Sequence, residues 1–203
     1  MCQKEKSVSA ALFIIDVQND FTEGGALGVE GGAAVAAGIT GFLAQHPDRY
    51  DHVFASRDWH DPVGDNGGHF ATDAEPDFVT TWPVHCVAET EGAEYHPALN
   101  TDAVTVHVRK GQGVSAYSIF EGTTDGGRTV SDALDELGVI DIDVVGIATD
   151  YCVRASVLDA LKHGRGVRVF TDLVAGVARE SSEAALAELG HAGAEIVEST
   201  SLE

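Results

Sequence analysis

The chain has 203 residues, 44% of them hydrophobic, and carries 33 acidic against 12 basic side chains for a formal net charge of −21. That length supports one substantial core, and the charge excludes nucleic acid and anionic membrane as partners because both would repel it. The three cysteines, Cys2, Cys86 and Cys152, lie far apart without a CxxC pair, which argues against a zinc knuckle or a disulfide framework and fits a reducing compartment.

No Pro/Gly/Ser-rich linker or shift in composition divides the sequence, so residues 1–203 read as a single domain. Met1 to Ala10 is short and polar, and the apolar run after it breaks at Asp16. Neither a signal peptide nor a membrane span is expected, and a cytoplasmic location is. Val- and Ile-rich runs at Ala11–Val17, His52–Ser56, Ala103–Arg109, Ile142–Ile147, Val167–Thr171 and Glu195–Glu198 predict six buried strands. Between them, Gly32–Gln45, Thr129–Leu137, Cys152–His163 and Ser182–Ala192 predict helices. Thr129 and Ser181 or Ser182 stand as N-caps, and Gly138 and Gly164 as stops. Alternating strand and helix predict an α/β fold of three layers, α/β/α, with a mostly parallel six-stranded sheet covered on both faces. From His60 to Leu99 the periodicity lapses into Gly, Pro, His, Asp and Trp, a loop long enough to suggest a binding site.

Ligands of open α/β sheets bind beyond the carboxyl ends of the strands, so the residue ending each strand is informative. Asp16 ends the first, Asp58 and His60 follow the second, Lys110 ends the third, and Cys152 lies just past the fourth. An apolar run such as Leu12-Phe13-Ile14-Ile15 carries the next carboxylate to the interior edge, where it needs a partner. Thiolate, carboxylate and ammonium at one edge form a nucleophile, a proton acceptor and a charge stabiliser. Cys152, near the start of a helix, also gains from free N–H groups and the dipole. Asp58, His60, His69 and His85 offer carboxylate and imidazole to a divalent zinc, iron or manganese ion. The other six histidines read as solvent-exposed loop residues.

These residues resemble the nicotinamidase/pyrazinamidase branch of the isochorismatase-like cysteine hydrolases. The resemblance runs through Asp16-Val17-Gln18-Asn19-Asp20-Phe21, Ser56-Arg57-Asp58-Trp59-His60, Thr81-Trp82-Pro83-Val84-His85-Cys86, Lys110-Gly111, Ser115-Ala116-Tyr117-Ser118, Phe120-Glu121-Gly122 and Gly146-Ile147-Ala148-Thr149-Asp150-Tyr151-Cys152-Val153. It implies a Rossmann-like fold, a triad of Asp16, Lys110 and Cys152, and a metal on Asp58, His60, His69 and His85. It further implies a cis peptide between Ile147 and Ala148, an oxyanion hole from the N–H groups of Ala148 and Cys152, and a pocket of Phe21, Leu27, Trp82 and Tyr117. The stretch Val63 to Gly68 is longer than the shortest versions in that family, and Tyr151 stands where relatives often carry His. Cys86 is read as structural.

The activity so implied is hydrolysis of nicotinamide to nicotinic acid and ammonia through a cysteine thioester, with pyrazinamide as a second substrate and NAD salvage as the setting. In that scheme Lys110 also keeps the thiol acidic. The small molecule is the expected partner, and self-association stays open. Competing readings are a metal hydrolase with water as nucleophile, a hydrolase of N-carbamoyl compounds, an inactive binding scaffold, and a thiol redox sensor. The latter two have no need of Asp16 and Lys110 beside the thiol.

Overall fold

The computed structural model describes residues 9–202; the leading segment Met1 to Val8, including Cys2, lies outside them. Seven strands form one sheet in the order β4-β3-β2-β1-β5-β6-β7: β1 Ser9–Ile15, β2 His52–Asp58, β3 Val106–Lys110, β4 Thr123–Thr124, β5 Val139–Ile147, β6 Gly166–Ala175 and β7 Glu195–Val197. All neighbouring pairs are parallel except β3 with β4. The seventh strand, β4, is two residues long, too short for the alternation by which the other six were predicted. Four helices, α1 Gly32–Gln45, α2 Val130–Leu137, α3 Arg154–Lys162 and α4 Arg179–Ala192, complete the α/β/α arrangement. Among the described residues no helix is long and apolar enough to cross a membrane.

Period-two alternation divides the sheet's side chains between two cores. Phe13, Ile15, Phe54, Val108 and Val144 pack with residues of α2, α3 and α4 on one face. Leu12, Ile14, Ala55, Val145 and Phe170 pack with Val35, Ile39 and Phe42 of α1 on the other. β1 and β5 run close together at Gly146, paired with Ile15, where a Cβ would lie 2.2 Å from the Ile15 carbonyl oxygen.

Several boundaries move for tertiary reasons. β3 begins at Val106 instead of Ala103, β5 at Val139 instead of Ile142, and β6 runs on to Ala175 past a register shift against β5. Thr129 caps α2 and Gly138 ends it as expected, with the Asp132 N–H donating to the Thr129 hydroxyl. α4 instead begins at Arg179, three residues before the predicted start and with Ala178 as N-cap. Neither Ser181 nor Ser182 is the cap. The Asp150 carboxylate accepts the N–H groups of Val177 and Ala178 and the Ser181 hydroxyl, so the helix start is bonded by a residue remote in sequence. Glu23 does the same for α1, accepting from Gly31 and Ala33 N–H.

The strand order turns at β1: the chain first proceeds outward through β2, β3 and β4, then returns to place β5 on the other side of β1. The crevice at such a reversal is the favoured ligand site of an open α/β sheet.

Candidate active site

β1, β2, β3 and β5 deliver their last residues to this crevice. Asp58 pairs with Lys110 in the β2–β3 register, and alternation sends Ser56 and Asp58 to the same face. Asp16 follows β1 with φ +47°, a left-handed conformation that Asp tolerates better than most side chains. Cys152 sits in a π-helical turn, Thr149–Val153, between β5 and α3, and the Ile147–Ala148 peptide before it is cis. π-turns inside helices recur at functional sites.

These elements bring together the three residues of the expected triad. Lys110 is fully buried, with its Nζ 2.9 Å from Asp16 Oδ2, 3.7 Å from Cys152 Sγ, and paired with Asp58 Oδ1. It also donates to the Ala116 carbonyl at 3.4 Å. One ammonium thus serves two buried carboxylates and a thiol, an arrangement that leaves none of these charges isolated. Burial raises the pKa of Asp16, against the opposing pull of Lys110. Asp58, equally buried, is held below the usual carboxylate range because Lys110 and the neighbouring imidazoles outweigh the burial penalty.

The thiol departs from the expectation. Burial pushes Cys152 well above the ordinary thiol value, and although Lys110 pulls it down, Asp16 and Asp58 push it up. Lys110 favours the thiolate, and burial outweighs that pull. A thiol raised in this way calls for an adjacent base to make it attack.

Beside the triad, His60, His69 and His85, all buried, hold ligand atoms within 4.8 Å of one another. His60 Nδ1 lies 2.8 Å from the Gly111 carbonyl and His85 Nδ1 2.7 Å from that of Pro83, which directs both Nε2 lone pairs inward. Asp58 Oδ2 is 3.8 Å from Nε2 of both His60 and His85, and His69 Nε2 is 3.4 Å from His85 Nε2. Buried His60 Nε2 and His69 Nδ1 have no hydrogen-bond partner among the described residues. Burial and neighbouring imidazoles lower His69 to about 4. Imidazoles converging beside a carboxylate, with two orphaned buried nitrogens among them, fit a divalent ion.

Side chains after β1 and within the long loop hold this set, in roles the sequence reading left unassigned. Gln18 donates to the carbonyls of Asp58 and Ala93, each at 2.9 Å, and accepts the Asp58 N–H at 2.8 Å. Asp20 accepts the Cys86 N–H at 2.7 Å, directly after His85. Asn66, inside the Val63 to Gly68 stretch, bonds both backbone groups of Asp61 and the Gly113 N–H, and so sets His69 against the other ligands. The available signal for Ser56 was a polar residue following the apolar Val53-Phe54-Ala55, and Gln18 had none beyond its place two residues after Asp16. Of the histidines read as exposed, His46, His52, His96 and His107 are half-buried, and His107 contacts the Tyr95 hydroxyl at 3.1 Å.

A cavity of about 410 Å³ opens beside thiol and imidazoles, lined by all four expected pocket residues, Phe21, Leu27, Trp82 and Tyr117, with Ala148 and Cys152. Trp82 Nε1 donates to the Tyr117 hydroxyl at 3.0 Å and packs edge-on to Tyr151. Phe78, Tyr151 and Val177 also line it, none of which the sequence had placed there. Flat aromatic walls, a thiol with a base, and a convergent imidazole set suit a small planar ring carrying an acyl group.

Comparison with known proteins agrees with this chemistry. The Isochorismatase domain family matches residues 10–201. A nicotinamidase/pyrazinamidase of Mycobacterium tuberculosis is 47% identical over 187 residues, 92% of this chain and 97% of that protein. Among solved structures, the pyrazinamidase of Pyrococcus horikoshii in complex with zinc superposes with a TM-score of 0.79 at 38% identity, covering 94% of this chain and 99% of that one. PnC1 from L. infantum in complex with nicotinate gives 0.81 at 33% identity over 98% of each chain.

Proposed function

Because the chain belongs to the isochorismatase family, we propose that its site performs the nicotinamidase reaction with Asp16, Lys110 and Cys152 as the reacting groups. The enzyme is an amidohydrolase that converts nicotinamide to nicotinic acid and ammonia, accepts pyrazinamide, and serves NAD salvage. Residues 1–203 act as one isochorismatase-like hydrolase domain of the cytoplasm.

Asp16 accepts the Cys152 proton as sulfur attacks the carboxamide carbon, which matches a thiol that burial keeps protonated until the base engages. The N–H groups of Ala148 and Cys152 receive the developing oxyanion. Protonated Asp16 then gives its proton to the departing amine, and ammonia leaves a thioester. Asp16 next takes a proton from the water that attacks this thioester, and returns it to the sulfur as nicotinic acid forms. Throughout, Lys110 remains charged: burial alone would lower its pKa, but Asp16, Asp58 and Cys152 together raise it well above the ordinary lysine value.

Asp58, His60, His69 and His85 would hold the divalent ion, zinc in the first instance. When bound, it supplies a Lewis acid toward which a pyridine nitrogen can be directed. Phe21, Trp82 and Tyr117 pack the ring, so that its carboxamide lies at the thiol, an effect of proximity and orientation.

The observation that carries this reading is Lys110 Nζ standing 2.9 Å from Asp16 and 3.7 Å from Cys152 at the edge of an aromatic-walled cavity. Cys152→Ala should abolish ammonia release while bound metal stays near one ion per chain. Activity retained in that variant would instead assign the nucleophile to water. Iodoacetamide gives a second readout, since nicotinamide should protect Cys152 from alkylation.

A further inference from the structure

We infer that Ser56 is a positioning residue for the general base, assigning different tasks to the two carboxylate oxygens of Asp16; the inference rests on the cysteine mechanism above. Ser56 lies in β2, fully buried, one residue beyond the last β1–β2 pair, Ile14 with Ala55. Its hydroxyl donates to Asp16 Oδ1 at 2.7 Å and accepts the Asp16 backbone N–H at 3.3 Å. Both contacts go to one residue, and that residue has the left-handed φ of +47°.

Donation to Oδ1 together with acceptance from the backbone fixes the direction of the hydroxyl's single proton. Protonation of Oδ1 would weaken it as the acceptor of the Ser56 hydroxyl, because the charge that strengthens that bond would be gone. Oδ2 is placed differently. It lies 2.9 Å from Lys110 Nζ, and no aligned hydrogen bond reaches it among the described residues. Oδ2 is therefore the oxygen with a free lone pair on the side of the ammonium and the thiol. In the first step the S–H bond breaks and an O–H bond forms at Oδ2, while the sulfur electron pair goes to the carboxamide carbon. Ser56 keeps that port single by holding Oδ1, and it holds the backbone that aims the carboxylate. Neither the cavity lining nor the imidazole set includes Ser56, so its action on the reaction runs through Asp16.

The test compares Ser56→Ala and Ser56→Thr with the parent enzyme, zinc-loaded, reading kcat and KM for nicotinamide and the second-order rate of Cys152 alkylation. Ser56→Ala should lower kcat about tenfold or more, since a charge-assisted hydrogen bond is lost, and slow alkylation, while KM stays within about twofold. Ser56→Thr, which restores a hydroxyl at the same atom position, should return kcat to within about threefold. An unchanged kcat in Ser56→Ala, an equal change in kcat and KM, or a Ser56→Thr no better than Ser56→Ala overturns the inference. Should Ser56→Ala fail to fold, Ser56→Cys, of similar volume but a weak donor, takes its place with the same expected loss. Cys152→Ala run alongside separates the two levels. Activity there defeats the cysteine mechanism itself, whereas an inactive Cys152→Ala beside a fully active Ser56→Ala defeats only the role of Ser56.

Discussion

Replacing Lys110 by Met keeps the length of the side chain and deletes the charge that serves Asp16 and Asp58. At an effective dielectric of about 20, the 2.9 Å separation from Asp16 corresponds to about 6 kcal/mol of gross attraction, most of it offset by the desolvation of both ions. The net loss is set by what stays behind: two fully buried carboxylates without their cation, a change that costs about 3–5 kcal/mol. Against a domain stability of about 5–15 kcal/mol, this is a large fraction. The sign with pH is definite. The folded pKa of Lys110 lies above its unfolded value, so its contribution is fully present below about pH 10 and is lost only as pH rises through the folded value. Urea unfolding at pH 7, with zinc fixed so that mass action does not shift the comparison, should place Lys110→Met about 3–5 kcal/mol below the parent. Adding Asp16→Asn should recover at least about 1 kcal/mol, because one of the stranded charges is gone. A Lys110→Met stability within about 0.5 kcal/mol of the parent, or a double variant with no recovery, would refute the reasoning.

Gly111→Ala should weaken zinc retention about 10- to 100-fold in a chelator competition, because Gly111 has φ +83° and a Cβ there would lie 2.6 Å from His60 Cε1, displacing the ring its own carbonyl orients. Asp150→Ala should cost about 0.5–2 kcal/mol in thermal melts by releasing the exposed Val177 and Ala178 N–H groups and the Ser181 hydroxyl at the start of α4, with Thr129→Ala at the separate α2 cap adding its own loss independently. Burial and the Asp143 carboxylate, on which its hydroxyl donates at 2.6 Å, raise the pKa of Tyr50. Its stabilisation is complete below the unfolded value near pH 10 and declines above it. Urea midpoints measured from pH 9 to 11 should therefore fall more steeply for the parent than for Tyr50→Phe.

Read alone, the chain determined which residues could react and the order in which strands and helices appear. Apolar runs that stop at Asp16, Asp58 and Lys110, and the loop that presents Cys152, are local patterns, and a parallel sheet necessarily carries such strand ends to one edge. The His60 to Leu99 lapse likewise marks a binding loop from sequence alone, since a stretch without periodicity cannot bury itself as helix or strand.

Tertiary structure decided what distance along the chain conceals. The start of α4 is bonded by Asp150, the walls Phe78 and Val177 arrive from distant loops, and Ser56 meets Asp16 only because β1 and β2 are neighbours. It also set the surroundings of the thiol, where burial, Asp16 and Asp58 oppose Lys110. A helix start and a nearby lysine argue for a thiolate, but ionisation depends on how much water reaches the sulfur and how many carboxylates share the cation, and both are properties of the packed site. Residue types can be read from the chain in order; the protonation each one holds follows from which charges the fold brings within a few ångströms of it.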